Sequence, residues 1–187
     1  MDRVAPHHSL FIILIAFGLL GHGAMVHFYY PLPLLLWALL LLLPAWLVYG
    51  GARRLGEVAL CCLAALGLGG AGMALGQGLV HHHHGGMAFW GFAWMLLLCV
   101  PVCWLSCTKR PLAQQALIHG LATILMLLGM VAGHQGAALL VQWLPMGLAS
   151  HLAMLAGMVL GEGIGMVIGL SLAGRLWHSA PSAGLLR

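Results

Sequence analysis

Apolar residues run through this chain in blocks much longer than the face of an amphipathic soluble helix. Residues 4–52 and 58–108 contain no Asp, Glu, Lys or Arg, and residues 111–174 contain one, Glu162. A helix that crosses a bilayer needs roughly 20 apolar residues, so each block accommodates two helices and a turn. The pattern predicts six transmembrane helices, over about 9–28, 34–50, 58–80, 87–106, 115–135 and 151–173. Pro31 and Pro33 mark the first turn, because neither can continue a helix. The second turn is the run from His81 to Gly86. The third contains residues 137–150, too short to span and read as a lip helix at the interface, with Trp143 and Pro145.

The expected fold is therefore all-α, a polytopic membrane bundle forming one integral domain over residues 1–187. Basic residues orient it. With both termini inside, Arg3, Arg53, Arg54, Lys109, Arg110, Arg175 and Arg187 all fall on the cytoplasmic side, as the positive-inside rule requires. Trp46, Trp104 and Trp177 then mark the inner interface, and Tyr29, Tyr30, Trp90 and Trp143 the outer one. The expected location is a plasma membrane, of the bacterial inner-membrane kind. The first helix is read as a retained span, since no small-x-small cleavage site follows it.

Composition sharpens this picture by exclusion. Of 187 residues, 63% are apolar and 5% are charged, against about 25% charged in an ordinary soluble domain. Such a surface belongs in a lipid bilayer, which excludes a soluble enzyme, a nucleic-acid binder and a disordered chain. The net charge of +4 reflects scarce acids rather than a basic patch.

Glycine is concentrated inside the spans. Gly157, Gly161, Gly165 and Gly169 recur at four-residue intervals, which leaves one helix face bare for close approach by a neighbour. A short pattern also repeats: Gly72 to Gln77, Gly129 to His134 and Gly157 to Glu162 each read Gly-Met-x-x-Gly followed by a polar residue. A looser relative runs from Gly18 to His22.

The candidate chemistry lies in His, Met, Cys and one Glu. Of 12 histidines, His22, His27, His81, His82, His83, His84, His134 and His151 fall at or near the outer face. His7, His8, His119 and His178 fall on the inner half. Neutral imidazole is the commonest protein metal ligand, and four adjacent histidines offer several nitrogens to one ion; the plainer alternative is a solvated hairpin tip. Sulfur follows a helical register: Met87, Met95, Cys99, Cys103 and Cys107 in span four, Met126 and Met130 before His134 in span five, and Met154, Met158, Glu162 and Met166 in span six. Residues four apart lie nearly above one another on a helix. Thiolates and thioethers suit Cu(I), although Met also fills core gaps and Cys packs as a small hydrophobe. Cys61 and Cys62 lie near the inner end of span three. No cysteine falls in a predicted outer loop and no C-x-x-C occurs, which argues against a disulfide framework and a thiol oxidoreductase. Glu162 is the only acid within a span; at that depth it must be paired, protonated or bound to a cation.

Together these features point first to a transport or insertion protein for a transition-metal ion, with copper favoured. Outer histidines would capture the ion, methionines and Glu162 would pass it on, and inner cysteines would receive it. The chain has no nucleotide-binding loop, so energy would come from other membrane subunits, an oligomer or an ion gradient. A second reading is a membrane anchor of a redox complex binding haem b or quinone, with histidines from facing helices as axial ligands. A third is the substrate-binding membrane subunit of a multisubunit importer. An enzyme is least favoured, because Asp2 is the only Asp and no H-E-x-x-H is present.

Overall fold

The computed structural model describes residues 6–29, 34–50, 55–79, 87–106 and 110–178. Among them there is no β-strand, and six helical segments follow one another. They are α1 (Pro6–Tyr29), α2 (Leu34–Val48), α3 (residues 57–79), α4 (Met87–Ser106), α5 (Leu112–Gly136) and α6 (Met146–His178). The all-α expectation therefore holds for the described residues.

Four helices carry stretches long and apolar enough to cross a membrane: Ser9–Phe28, Glu57–Gly76, Leu112–Leu139 and Met146–Leu176. The other two are shorter in this respect. α2 has 15 residues, about 22 Å of rise, and carries Pro44 inside it. The apolar part of α4 runs over Gly91–Trp104. Large apolar side chains such as Leu10, Phe17, Leu35, Leu128, Leu160 and Ile164 point outward, while His22, Gln115, His119 and Glu162 are buried. Apolar outside and polar inside is the arrangement a bilayer selects.

Prolines and one glycine set several boundaries. α5 starts directly after Pro111, whose carbonyl accepts from Gln114 and Gln115, and α6 starts directly after Pro145, whose carbonyl accepts from Ala149. A fixed φ near −65° suits the first turn, where no N–H is needed. The turn that follows α2 contains Gly50, whose φ of +119° only glycine adopts without strain. The segment expected to form a lip helix instead makes one 3₁₀ turn, Ala137–Leu139, and then hydrogen-bonded turns. Residues 146–150 are the start of α6, because Pro145 pre-sets the helix there.

α5 and α6 make the most extensive helix pairing, and glycine is the reason. A Cβ on Gly157 would strike the carbonyl oxygen of Gly129, and one on Gly129 that of Gly157. At Gly161 it would strike the Leu125 carbonyl oxygen, at Gly165 it would lie 2.5 Å from Ala122 Cα, and at Gly169 2.7 Å from Ile118 Cα. The four-residue glycine ladder thus faces α5 along its whole length. Gly157→Ala should cost about 1–3 kcal/mol by overpacking, read as a lower thermal midpoint in detergent. Gly120→Ala, where a Cβ meets open space, should leave the midpoint unchanged or slightly raised. Equal midpoints for the two variants would contradict the close approach.

α3 is not uniform. Between its α-helical parts, Glu57–Ala64 and Gly70–Leu79, lies a π-helical turn, Ala65–Gly69. Such bulges widen the ladder and release backbone groups. Around this turn α1, α4 and α6 converge on a core that includes Met73, Met95, Met126 and Met158.

Candidate metal centre

The scarce polar side chains of the bundle gather at two depths. At the deeper one, four helices each contribute a donor: Cys61 from the start of α3, Cys99 and Cys103 from the second half of α4, His119 from the first third of α5, and Glu162 from the middle of α6. All five are buried. The ligand atoms of Cys61, Cys103 and Glu162 lie within 4.8 Å of one another. Two metal–sulfur bonds of about 2.3 Å span at most ~4.6 Å, so closing the trio on one ion takes only small side-chain shifts. Among the described residues no other group of three His, Cys, Asp or Glu donors is so close. Cys103 also contacts Cys61 and Cys99 by thiol hydrogen bonds, with the Cys99 sulfur 3.7 Å away. No described cysteine is in a disulfide.

Two features of this cluster are costly unless a ligand accounts for them. Glu162 is 3% exposed, and no basic side chain pairs with it: the ion pair among the described residues is Arg110 to Glu57, 2.9 Å, at the partly exposed ends of α5 and α3. His119 is as deeply buried, and neither of its ring nitrogens has a hydrogen-bond partner. An unsatisfied buried N–H costs about 1–3 kcal/mol. Its ring stacks at a tilt on Trp104, centroids 5.9 Å apart. His119, Cys99, Cys103, Met126 and Glu162 line one small internal cavity, with about 10 Å³ open to the centre of a water molecule. That is room for a single atom or water.

At the shallower depth, His22 of α1 meets His151 of α6. Their Nε2 atoms are 2.9 Å apart, and the rings stand edge to face with centroids at 5.2 Å. His22 also hydrogen-bonds the backbone of Leu66 in the π-helical turn. Its ring lies against Gly70, where any Cβ would collide with it. His134 is exposed and bonds through Nδ1 to Ser150 Oγ at 2.9 Å, beside the pair but not within it. His27 is half-buried. His81, His82, His83, His84 and Cys107 lie outside the described residues.

Soft side chains are buried in the same core. Met130 and Met158 are fully buried, as are Met73 and Met95; three of these follow the first glycine of the repeated Gly-Met pattern. Met158 lies about one helical turn before Glu162 and two after His151. The structure therefore joins Cys103 and Glu162 with two residues that the register argument left aside, Cys61 and His119. A signal for them existed: Cys61 sits at the same predicted inner end as Cys103, and His119 is the one ionisable side chain in the inner half of span five.

No protein-family model matches the chain, and neither curated proteins nor solved structures give a significant match. The functional reading rests on the geometry.

Proposed function

We propose that this chain is an integral-membrane transport or insertion protein for a transition-metal ion, with copper as the favoured cargo. The observation that carries the reading is the buried Cys61–Cys103–Glu162 group, whose donor atoms lie within 4.8 Å of one another, beside the unpartnered imidazole of His119. Thiolate, thioether and imidazole donors together suit Cu(I). A carboxyl at the same point lets the site exchange a proton for the cation, since ligands must be deprotonated to bind. In this reading α2 and α4 complete six spans with both termini cytoplasmic, in a bacterial inner membrane. The cysteine group then lies toward the cytoplasm and the histidine pair toward the outside. With no nucleotide-binding loop in the sequence, the driving force comes from partner membrane subunits or an ion gradient.

The haem alternative gains no support from the histidine pair. A haem iron held between two imidazoles carries its macrocycle between their rings, whereas the rings of His22 and His151 are in contact edge to face, with Nε2 atoms 2.9 Å apart. Elemental analysis and an absorption spectrum of detergent-purified protein test the reading together. Copper without a Soret band is expected. A Soret band with stoichiometric haem would overturn it.

A further inference from the structure

We propose that His22 and His151 form a second metal site, which takes a soft monovalent cation such as Cu(I) between two imidazole nitrogens before the ion reaches the cysteine–glutamate group. The proposal rests on the transport reading above and adds where the ion is first held inside the bundle.

Three observations carry it. First, the two Nε2 atoms face each other at 2.9 Å across 129 positions of sequence. One shared proton now holds them; when it moves to the other ring nitrogen of the histidine that carries it, both Nε2 lone pairs are free to hold a cation in its place, with no net loss of a proton. With bonds of about 2.0 Å, two imidazoles in line on an ion hold their nitrogens about 4 Å apart, so the two rings must part by about 1 Å from the 2.9 Å they keep now. Second, the pair is oriented from behind. Nε2 of His22 is directed at His151, which leaves Nδ1 for the Leu66 backbone. A backbone acceptor on the far nitrogen fixes the tautomer and raises ligand basicity, as the outer shell does at known metal histidines. The π-helical turn containing Leu66 is where a carbonyl can be spared from the helix ladder. Third, the same turn connects the two depths. A Cβ on Gly69 would lie 3.3 Å from Met158 Sδ and 3.4 Å from Met95 Cγ. Because Gly69 has none, two buried thioether side chains pack against the backbone that also orients His22. His151 and Glu162 are eleven residues apart on α6, about 16 Å, with Met158 in the interval. An ion leaving two nitrogens thus meets sulfur before it meets the thiolates.

The test is a Cu(I) titration of detergent-purified protein under reducing conditions, against a chromophoric Cu(I) chelator. The double variant His22→Gln, His151→Gln should bind one equivalent fewer than wild type, and Cys61→Ser, Cys103→Ser should lose a different equivalent while keeping the histidine one. An undiminished stoichiometry in the histidine variant, with the cysteine variant diminished, overturns the second site and leaves the transport reading standing. No Cu(I) bound by wild type overturns both. If the histidine variant aggregates, the unaltered protein labelled with ¹⁵N-histidine decides. The His22–His151 hydrogen bond couples its two nitrogens, and adding Ag(I), a stand-in for Cu(I), should abolish that coupling and shift both signals. Persistence of the coupling at saturating Ag(I) overturns the site.

Discussion

Glu162→Gln should cut metal uptake into proteoliposomes at least tenfold while leaving expression and thermal midpoint near those of wild type. Tenfold corresponds to about 1.4 kcal/mol. The side chain is 3% exposed, midway along a 33-residue helix, with no cationic partner among the described residues. Removing an ion from water costs several kcal/mol even after relaxation. On the proposed reading the carboxyl carries a proton when the site is empty and gives it up when a cation is held beside the sulfurs of Cys61 and Cys103. Gln matches the protonated form in size and polarity but cannot take the second state. Stability should survive, and the exchange of proton for cation should not. Wild-type uptake by a well-expressed Gln variant would assign Glu162 to packing.

Much of the architecture was legible because bilayer constraints are written coarsely. Charge-free blocks and the Pro31–Pro33 turn place the helices to within a few residues of those observed, although Pro145 was read as part of a lip helix rather than as a helix start. The glycine ladder on α6 announced a close neighbour, and it has one in α5. Finer features were hidden for physical reasons. The π-helical turn over Ala65–Gly69 leaves no periodic signature in a segment that is apolar on all sides, so the face presented by His22 could not be read. Helices buried all round also conceal their partners. His151 was assigned to the outer face, yet only the fold reveals that its ring reaches His22 of α1 rather than His134. The stripe Met95, Cys99, Cys103 faces inward as its register implied. That Cys61 completes it depends on the rotation of α3, which the π-helical turn itself changes.

The second large effect concerns those sulfurs. Cys61 and Cys103 belong to different helices, and their ligand atoms, with that of Glu162, lie within 4.8 Å of one another. Serine replaces each thiol with a hydroxyl of similar volume that is a harder, poorer ligand for Cu(I). Cys61→Ser, Cys103→Ser should therefore abolish binding at the deep site while the bundle persists, because packing there is carried largely by neighbouring methionines and leucines. Cys99, 3.7 Å from Cys103, remains as a single thiol and should not rescue it. X-ray absorption at the copper edge of Cu(I)-loaded protein tests this most directly. The account predicts a first shell containing sulfur in wild type, with that sulfur contribution sharply reduced in the double serine variant. A first shell of nitrogen and oxygen alone in wild type, or a sulfur shell unchanged by the two substitutions, would contradict it.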